Sequence, residues 1–433
     1  MLKGNTLKYI KNTSWMLSEK IVRLLGAIFI TAWVARYLGP SEFGILSYAQ
    51  SYVLALTAFT ILGLDELLVR DLAEEKYSAS EILINSFILR LLVSLIFYFV
   101  LILLVGYTET NFLNKDLIYI IGLSILFKPF DVIRYFLESR MRGRDIALIG
   151  TFSIIIASVL KILAVFYKRD IYVFAYITLV EHAFLATLYI FAIFKYKPII
   201  KTNYFNIYLI KKYFRSGLPL SLTFVAFTLY MRIDQLMIEK MLNSYELGIY
   251  SVAVKLSSTW YFVPTIIAAS LFPILLKAQS AKEIFNYKLV LSASNWLMIC
   301  MALFMSLFGE KIILGLFGTD YVRSALILSI HIWSGVFISM NVISGKYYIT
   351  KNMFGFLLLR TVVGLVINIV LNSFFITSFG IIGAAYSTLI SFFVAALLID
   401  LTHKDSKVMF STKLSSLSPF VIINYLKFKI KKA

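Results

Sequence analysis

Apolar residues run along this chain in long, near-continuous stretches separated by short polar ones. Twelve such stretches cover approximately 13–38, 41–63, 81–106, 116–140, 145–167, 170–195, 215–241, 245–273, 285–308, 322–350, 353–376 and 379–402. A helix needs about 20 apolar residues to cross a bilayer, and each stretch supplies them. Membrane barrel strands would instead alternate in blocks of about ten. The pattern therefore predicts an all-α integral membrane protein with twelve transmembrane helices. The first stretch carries Glu19, Lys20 and Arg23 and lacks a small-residue cleavage site, so it reads as a span rather than a cleaved leader.

The longest polar interruption, 196–214, divides six spans from six, and the two halves resemble each other. Leu38, Glu42, Gly44, Ile45, Ser47 and Ala49 match Leu242, Glu246, Gly248, Ile249, Ser251 and Ala253 at a constant offset of 204. Ala175-Tyr-Ile-Thr-Leu179 matches Ala385-Tyr-Ser-Thr-Leu389 at an offset of 210. Six-span repeats share a topology, so an axis along the membrane normal should relate them, with a cavity between two lobes. The expected organisation is an N-terminal lobe over 1–200 and a linker over 201–214. A C-terminal lobe over 215–402 and a basic cytoplasmic tail over 403–433 complete it. Within the tail, Ser418-Pro419 opens a short basic segment expected to lie as a helix on the inner leaflet.

Composition sharpens this reading. Of 433 residues, 60% are hydrophobic and 15% charged, with a mean hydropathy of +0.85. Soluble domains carry about 25% charged residues, and no sizeable soluble domain fits in what remains here. The charge is biased, with 42 Lys and Arg against 23 Asp and Glu. With the N-terminus inside, 26 loop and tail cations fall on the inner side and 7 on the outer. The positive-inside rule then places both termini in the cytoplasm and requires an even number of spans.

Much familiar chemistry is absent. Cys300 is the one cysteine, and His182, His331 and His403 are dispersed, so neither a disulfide nor a structural zinc site is expected. No Gly-x-Gly or phosphate-loop pattern occurs. No cofactor, metal site or catalytic residue is expected, and the basic residues are too scattered among apolar helices for nucleic acid.

What is present is charge inside the spans. Nine cations lie there: Lys20, Arg23, Arg90, Lys128, Arg134, Lys161, Arg232, Lys255 and Arg360. Each would cost on the order of 2.5–3.5 kcal/mol facing lipid at mid-depth, so they must snorkel, pair or face a wet interior. Lys20 and Lys161 lie near span ends and are expected to snorkel. Arg23, Arg90, Arg134, Arg232 and Arg360 lie deeper, and with Lys128 and Lys255 form the candidate cationic lining. Helical spacing places Lys128, Asp131, Arg134, Tyr135 and Glu138 on one face of span four. Ser221, Thr228, Arg232, Gln235 and Glu239 share a face of span seven. Glu19 stands four residues before Arg23, and Arg360, Thr361, Gly364, Asn368 and Asn372 form a polar face of span eleven. Each stripe reads either as cavity lining or as structural pairs locking helices together. Glu181 and His182 form a candidate proton-linked pair, Asp234 a candidate partner for another helix, and His331 a packed interior residue. Pro129, Pro264 and Pro273 predict kinks.

Three segments carry a resemblance: Arg36-Tyr-Leu-Gly-Pro-Ser-Glu-Phe-Gly-Ile-Leu-Ser47, Gly63-Leu-Asp-Glu-Leu-Leu-Val-Arg70 and Gly380-Ile-Ile-Gly-Ala-Ala-Tyr-Ser-Thr388. With the length and the six-plus-six pattern, they resemble the polysaccharide-exporter family. Its Wzx-type O-antigen flippases belong to the multidrug/oligosaccharidyl-lipid/polysaccharide superfamily. The resemblance implies a monomeric transport unit that flips an undecaprenyl-pyrophosphate-linked oligosaccharide between leaflets, within reach of membrane lipids, a polysaccharide polymerase and chain-length machinery. Lipid II flippases of the superfamily usually have fourteen spans. Drug exporters, the alternative, have twelve and usually fewer buried arginines. A membrane-embedded transferase is the third reading. A diphosphate carries about two negative charges that arginines can fork.

Overall fold

The computed structural model describes residues 2–75, 77–196, 204–276 and 281–421. The basic segment predicted beyond Ser418 lies largely outside them. Described residues are helical throughout, with no strand among them. Two compact units emerge, Met1–Thr228 and Leu229–Ala433.

The first unit is built from α1 (Leu2–Ile61), α2 (Asp65–Glu74), α3 (Ala79–Thr108), α4 (Phe112–Gly122), α5 (Asp131–Ser139), α6 (Gly143–Phe166), α7 (Ile171–Tyr196) and most of α8 (Ile207–Tyr230). The second holds α9 (Ile233–Met241), α10 (Ser244–Thr259), α11 (Phe262–Leu276), α12 (Ala281–Phe317), α13 (Ser324–His331), α14 (Ser334–Thr350), α15 (Phe354–Ala396) and α16 (Lys407–Ser416).

Eight helical segments among the described residues are long and apolar enough to cross a membrane. Their difference from the twelve predicted stretches has local causes. Two of the eight contain two predicted spans each and break at a glycine with left-handed backbone, Gly39 (φ 69°) and Gly380 (φ 60°). Only glycine adopts that conformation freely. Asn368 donates to Thr388 Oγ1 at 3.4 Å and to Ser391 Oγ at 3.2 Å. In a straight helix residues 368 and 391 would stand about 34 Å apart, so α15 doubles back at Gly380. α1 does the same: Trp15 lies under the Arg144 guanidinium, Tyr37 reaches the Arg169 carbonyl at 2.9 Å, and beyond Ile61 Asp65 returns to Tyr135 at 2.7 Å.

Two other predicted spans are interrupted. The fourth is α4, a 3-10 segment over Leu123–Phe130 containing Pro129, then α5. The seventh breaks at Met231 and Arg232 between α8 and α9. Continuous faces drawn through these spans therefore need correction, as described below. Pro264 stands just after the break between α10 and α11.

The duplicated Leu-x-x-x-Glu-x-Gly motif sits on a turn in each unit. In the first copy Gly39-Pro40 makes the turn. In the second, Asn243 caps α10 by accepting from the Glu246 N–H at 3.0 Å.

Candidate functional site

Charge inside the first unit collects around α5. Glu19 and Arg23 pair across one turn of α1, with Arg23 Nη2 donating to Glu19 Oε1 at 2.8 Å. Glu19 lies against α6 at Gly150, where a side chain of any size would collide with it. The carboxylates of Glu19, Asp131 and Glu138 all act on the Arg134 guanidinium, which faces Tyr189 of α7. Lys128 stands 4.0 Å from Asp131. His182, whose Nδ1 meets the Thr178 carbonyl at 2.9 Å, feels both Lys128 and Asp131. The predicted residues Glu19, Arg23, Lys128, Asp131, Arg134, Glu138, Glu181 and His182 thus gather on four elements of one unit.

The face of span four is not one α-helical stripe. Lys128 belongs to the 3-10 segment, which advances about 120° per residue rather than 100°. Tyr135 turns the other way: its hydroxyl donates to Asp65 at 2.7 Å and its ring lies under the Arg90 guanidinium at 5.5 Å. Arg90 is fully buried, and none of its three nitrogens has a hydrogen bond of normal geometry. Ser94, one turn on, is likewise buried without a partner. Buried guanidinium groups are normally hydrogen-bonded, and Arg90 is instead compensated at longer range by Tyr135, Asp131 and Asp65.

Lys161 does not simply snorkel. It pairs with Glu181 at 3.3 Å, so the carboxylate takes a lysine as its near partner rather than His182.

The second unit handles polarity differently. Asp234 is buried and accepts from the Tyr250 hydroxyl and from the Gln235 N–H at 2.7 Å. This is the partner on another helix that the sequence asked for. Arg232 caps α9 and reaches Gln235 at 3.4 Å, so the stripe through Ser221, Thr228 and Glu239 is cut at the break. Asn368 receives Asn372 at 3.1 Å, and Ser391 receives the Tyr230 hydroxyl at 3.1 Å. Gly364 gives Tyr230 room, since a Cβ there would lie 2.8 Å from its ring. His331 is a packed interior histidine against Ser257 at 2.8 Å.

Arg360 donates to Ser344 Oγ at 3.0 Å and to the Asn341 carbonyl at 2.9 Å, over the Tyr348 ring. Tyr348 and Lys413 both donate to Asp400, at 2.7 and 2.6 Å. The Lys413–Asp400 pair is wholly buried. Burial pulls the Lys413 ammonium down to about 8, so it is still mostly charged at neutral pH. Sequence reading counted Lys413 among the cations of the basic cytoplasmic tail, and nothing local in α16, which also carries Lys407, sets it apart. Lys255 lies exposed on α10. No cluster of metal-ligating side chains occurs among the described residues.

The glycine-broken, all-helical fold with charge inside its apolar helices has counterparts among solved structures. It is similar to a lipid II flippase, MurJ, in an inward closed conformation, with a TM-score of 0.70 over 96% of this chain and 93% of that one at 17% identity. It is also similar to an inward-facing multidrug resistance MATE transporter of the MOP superfamily, with a TM-score of 0.67 over 93% and 99% at 15% identity. The chain belongs to the polysaccharide biosynthesis protein family, whose pattern matches residues 9–279.

Two relatives agree. The capsular polysaccharide biosynthesis protein CapF of Staphylococcus aureus is 25% identical over 408 residues, 89% of this chain and 97% of that protein. The probable low-salt glycan biosynthesis flippase Agl15 of Haloferax volcanii is 28% identical over 173 residues. That match spans 39% of this chain and 37% of the relative.

Proposed function

We propose that the protein is a flippase for an undecaprenyl-pyrophosphate-linked oligosaccharide, an O-antigen or similar surface-polysaccharide repeat unit, moved from the cytoplasmic to the periplasmic leaflet by alternating access. It acts as a transporter rather than an enzyme. One observation carries the reading: the first unit gathers the cations Arg23, Lys128 and Arg134 on adjoining elements, with the buried Arg90 over Tyr135 of the same helix as Arg134. Such groups call for an anion, and arginine forks fit phosphate oxygens in pairs. Family membership and the similarity to a probable glycan biosynthesis flippase support a flippase role in polysaccharide biosynthesis.

Twelve crossings in two lobes, 1–200 and 215–402 joined by 201–214, follow if each glycine hairpin counts twice and each interrupted helix once. Both termini then lie in the cytoplasm, in the inner membrane. The candidate cargo contacts are Arg23, Arg90, Lys128, Arg134, Arg232, Lys255 and Arg360. Asp234, Gln235 and Asn368 in the second unit, and Glu181 with His182 in the first, are the candidates for ion coupling. Polymerase and chain-length machinery would meet the product on the far side.

A cation-coupled drug exporter is the second reading, favoured by the likeness to multidrug transporters. Complementation of a flippase-deficient strain decides. Restored surface glycan and disappearance of the accumulated lipid-linked species by mass spectrometry are expected. Unchanged accumulation with altered drug tolerance would favour the exporter. Reporter fusions at Lys211 and after Lys404 should both report cytoplasm; an outside signal at either overturns the topology.

A further inference from the structure

We infer that Glu19 is a built-in substitute for the cargo's phosphate: a carboxylate that occupies Arg23 in the empty protein and yields it to an arriving lipid diphosphate. The inference rests on the cargo reading above and adds how the site sets its own affinity.

The pair is lopsided. The Glu19 side chain is 3% exposed and that of Arg23 is 42% exposed. The cation is the exposed partner and the anion stands behind it. The carboxylate is held in place by the shape of α6: at Gly150 a Cβ would lie 2.6 Å from Glu19 Oε1 and 3.0 Å from its Cδ. Both Arg23 contacts fall on that same Oε1, through Nη2 at 2.8 Å and Nε at 3.3 Å. Oε2 is buried and has no partner. A carboxylate placed only to lock helices would use both oxygens.

Exchange is feasible because the guanidinium is half in solvent, where an ion pair is worth only about 0–1 kcal/mol. A diphosphate offers more charge and more acceptor oxygens to the same fork. When Arg23 leaves, Glu19 keeps Arg134, on which it already acts, so no buried anion is stranded. The competition lowers affinity for cargo. A transporter needs that, since a site that binds too tightly cannot release.

Undecaprenyl pyrophosphate in detergent micelles, titrated calorimetrically into the purified full chain, tests this. Glu19→Gln keeps the shape and removes the competing charge, and should tighten binding up to about fivefold, the loss of one half-exposed ion pair. Gly150→Ala should act in the same direction by pushing the carboxylate off Arg23 while leaving both residues present. Unchanged or weaker binding in the folded variants overturns the inference, as does loss of folded protein in both, which would make Glu19 structural. Arg23→Ala separates the two levels. If it abolishes binding while Glu19→Gln gains nothing, only the competition is wrong; if it binds like the wild type, the cargo reading of Arg23 fails with it.

Discussion

The two units bury polarity in opposite ways. In the first, charges outnumber their hydrogen bonds: Arg90 has none of normal geometry, Glu19 leaves one oxygen bare, and Arg134 is acted on at once by the carboxylates of Glu19, Asp131 and Glu138. In the second, the buried charges are bonded: Asp234 accepts from Tyr250, Lys413 donates to Asp400, and Arg360 donates to Ser344 and the Asn341 carbonyl, while the groups left without a partner, such as the Ser292 and Ser387 hydroxyls, are mostly neutral. Satisfied networks specify one packing, whereas under-satisfied charges await something else. On the function proposed above, the comparison puts most of the diphosphate recognition in the first unit and most of the cohesion in the second.

The largest effect should come from the second unit. Lys413→Met strands Asp400 inside it and should cost about 3–5 kcal/mol, read as a fall in the melting temperature of the detergent-solubilised protein. Lys413→Met combined with Asp400→Leu should recover most of that loss. A single variant as stable as wild type would show that the pair is not buried.

Next, Asn368→Leu removes the amide that ties the two limbs of α15 and leaves Ser391 and Thr388 short of a donor, at a cost of about 1–3 kcal/mol. Folded yield should drop before any change in substrate preference. Equal yield with a changed substrate would move cargo recognition into the second unit.

In the first unit, Arg134→Ala should change stability by less than about 1 kcal/mol, because a hydrated site solvates what remains. Surface glycan display should be lost, and Arg134→Lys, which keeps charge without the fork, should be intermediate. If abundance collapses instead and Asp131→Asn restores it together with display, Arg134 is a structural partner and the comparison between units fails there.

The smallest effect is expected at the Arg323–Glu246 pair, 2.7 Å apart with an exposed guanidinium. Arg323→Ala should shift stability by about 0–1 kcal/mol, and salt should erase the difference. A larger loss would mean that this end of the second unit is drier than its exposure indicates.

Much of this was legible in the sequence because lipid leaves few alternatives. A helix must satisfy its own backbone in hydrocarbon, so length and hydropathy alone located the membrane helices. The Glu19–Arg23 pair followed from i,i+4 spacing. Where the helix broke, angular reasoning broke with it. The 3-10 stretch before Asp131 and the gap at Met231–Arg232 rotate everything downstream, and neither has a composition that distinguishes it from helix. Lys413 was unreadable for another reason: its partner Asp400 lies across a tertiary contact, and nothing local records that a tail folds back. Lys161 was misplaced likewise, since its partner Glu181 sits on the following helix.

The hairpin at Gly380 has a consequence during biosynthesis. Asn368 and Asn372 would each oppose insertion of the first limb of α15 if that limb entered the bilayer alone, because their amides would meet hydrocarbon. Thr388 and Ser391, which receive Asn368, lie on the second limb and leave the ribosome later. The two limbs therefore have reason to wait at the insertion machinery and partition together as a preformed pair. The left-handed glycine is what lets the second limb reach the first while both are still outside the lipid.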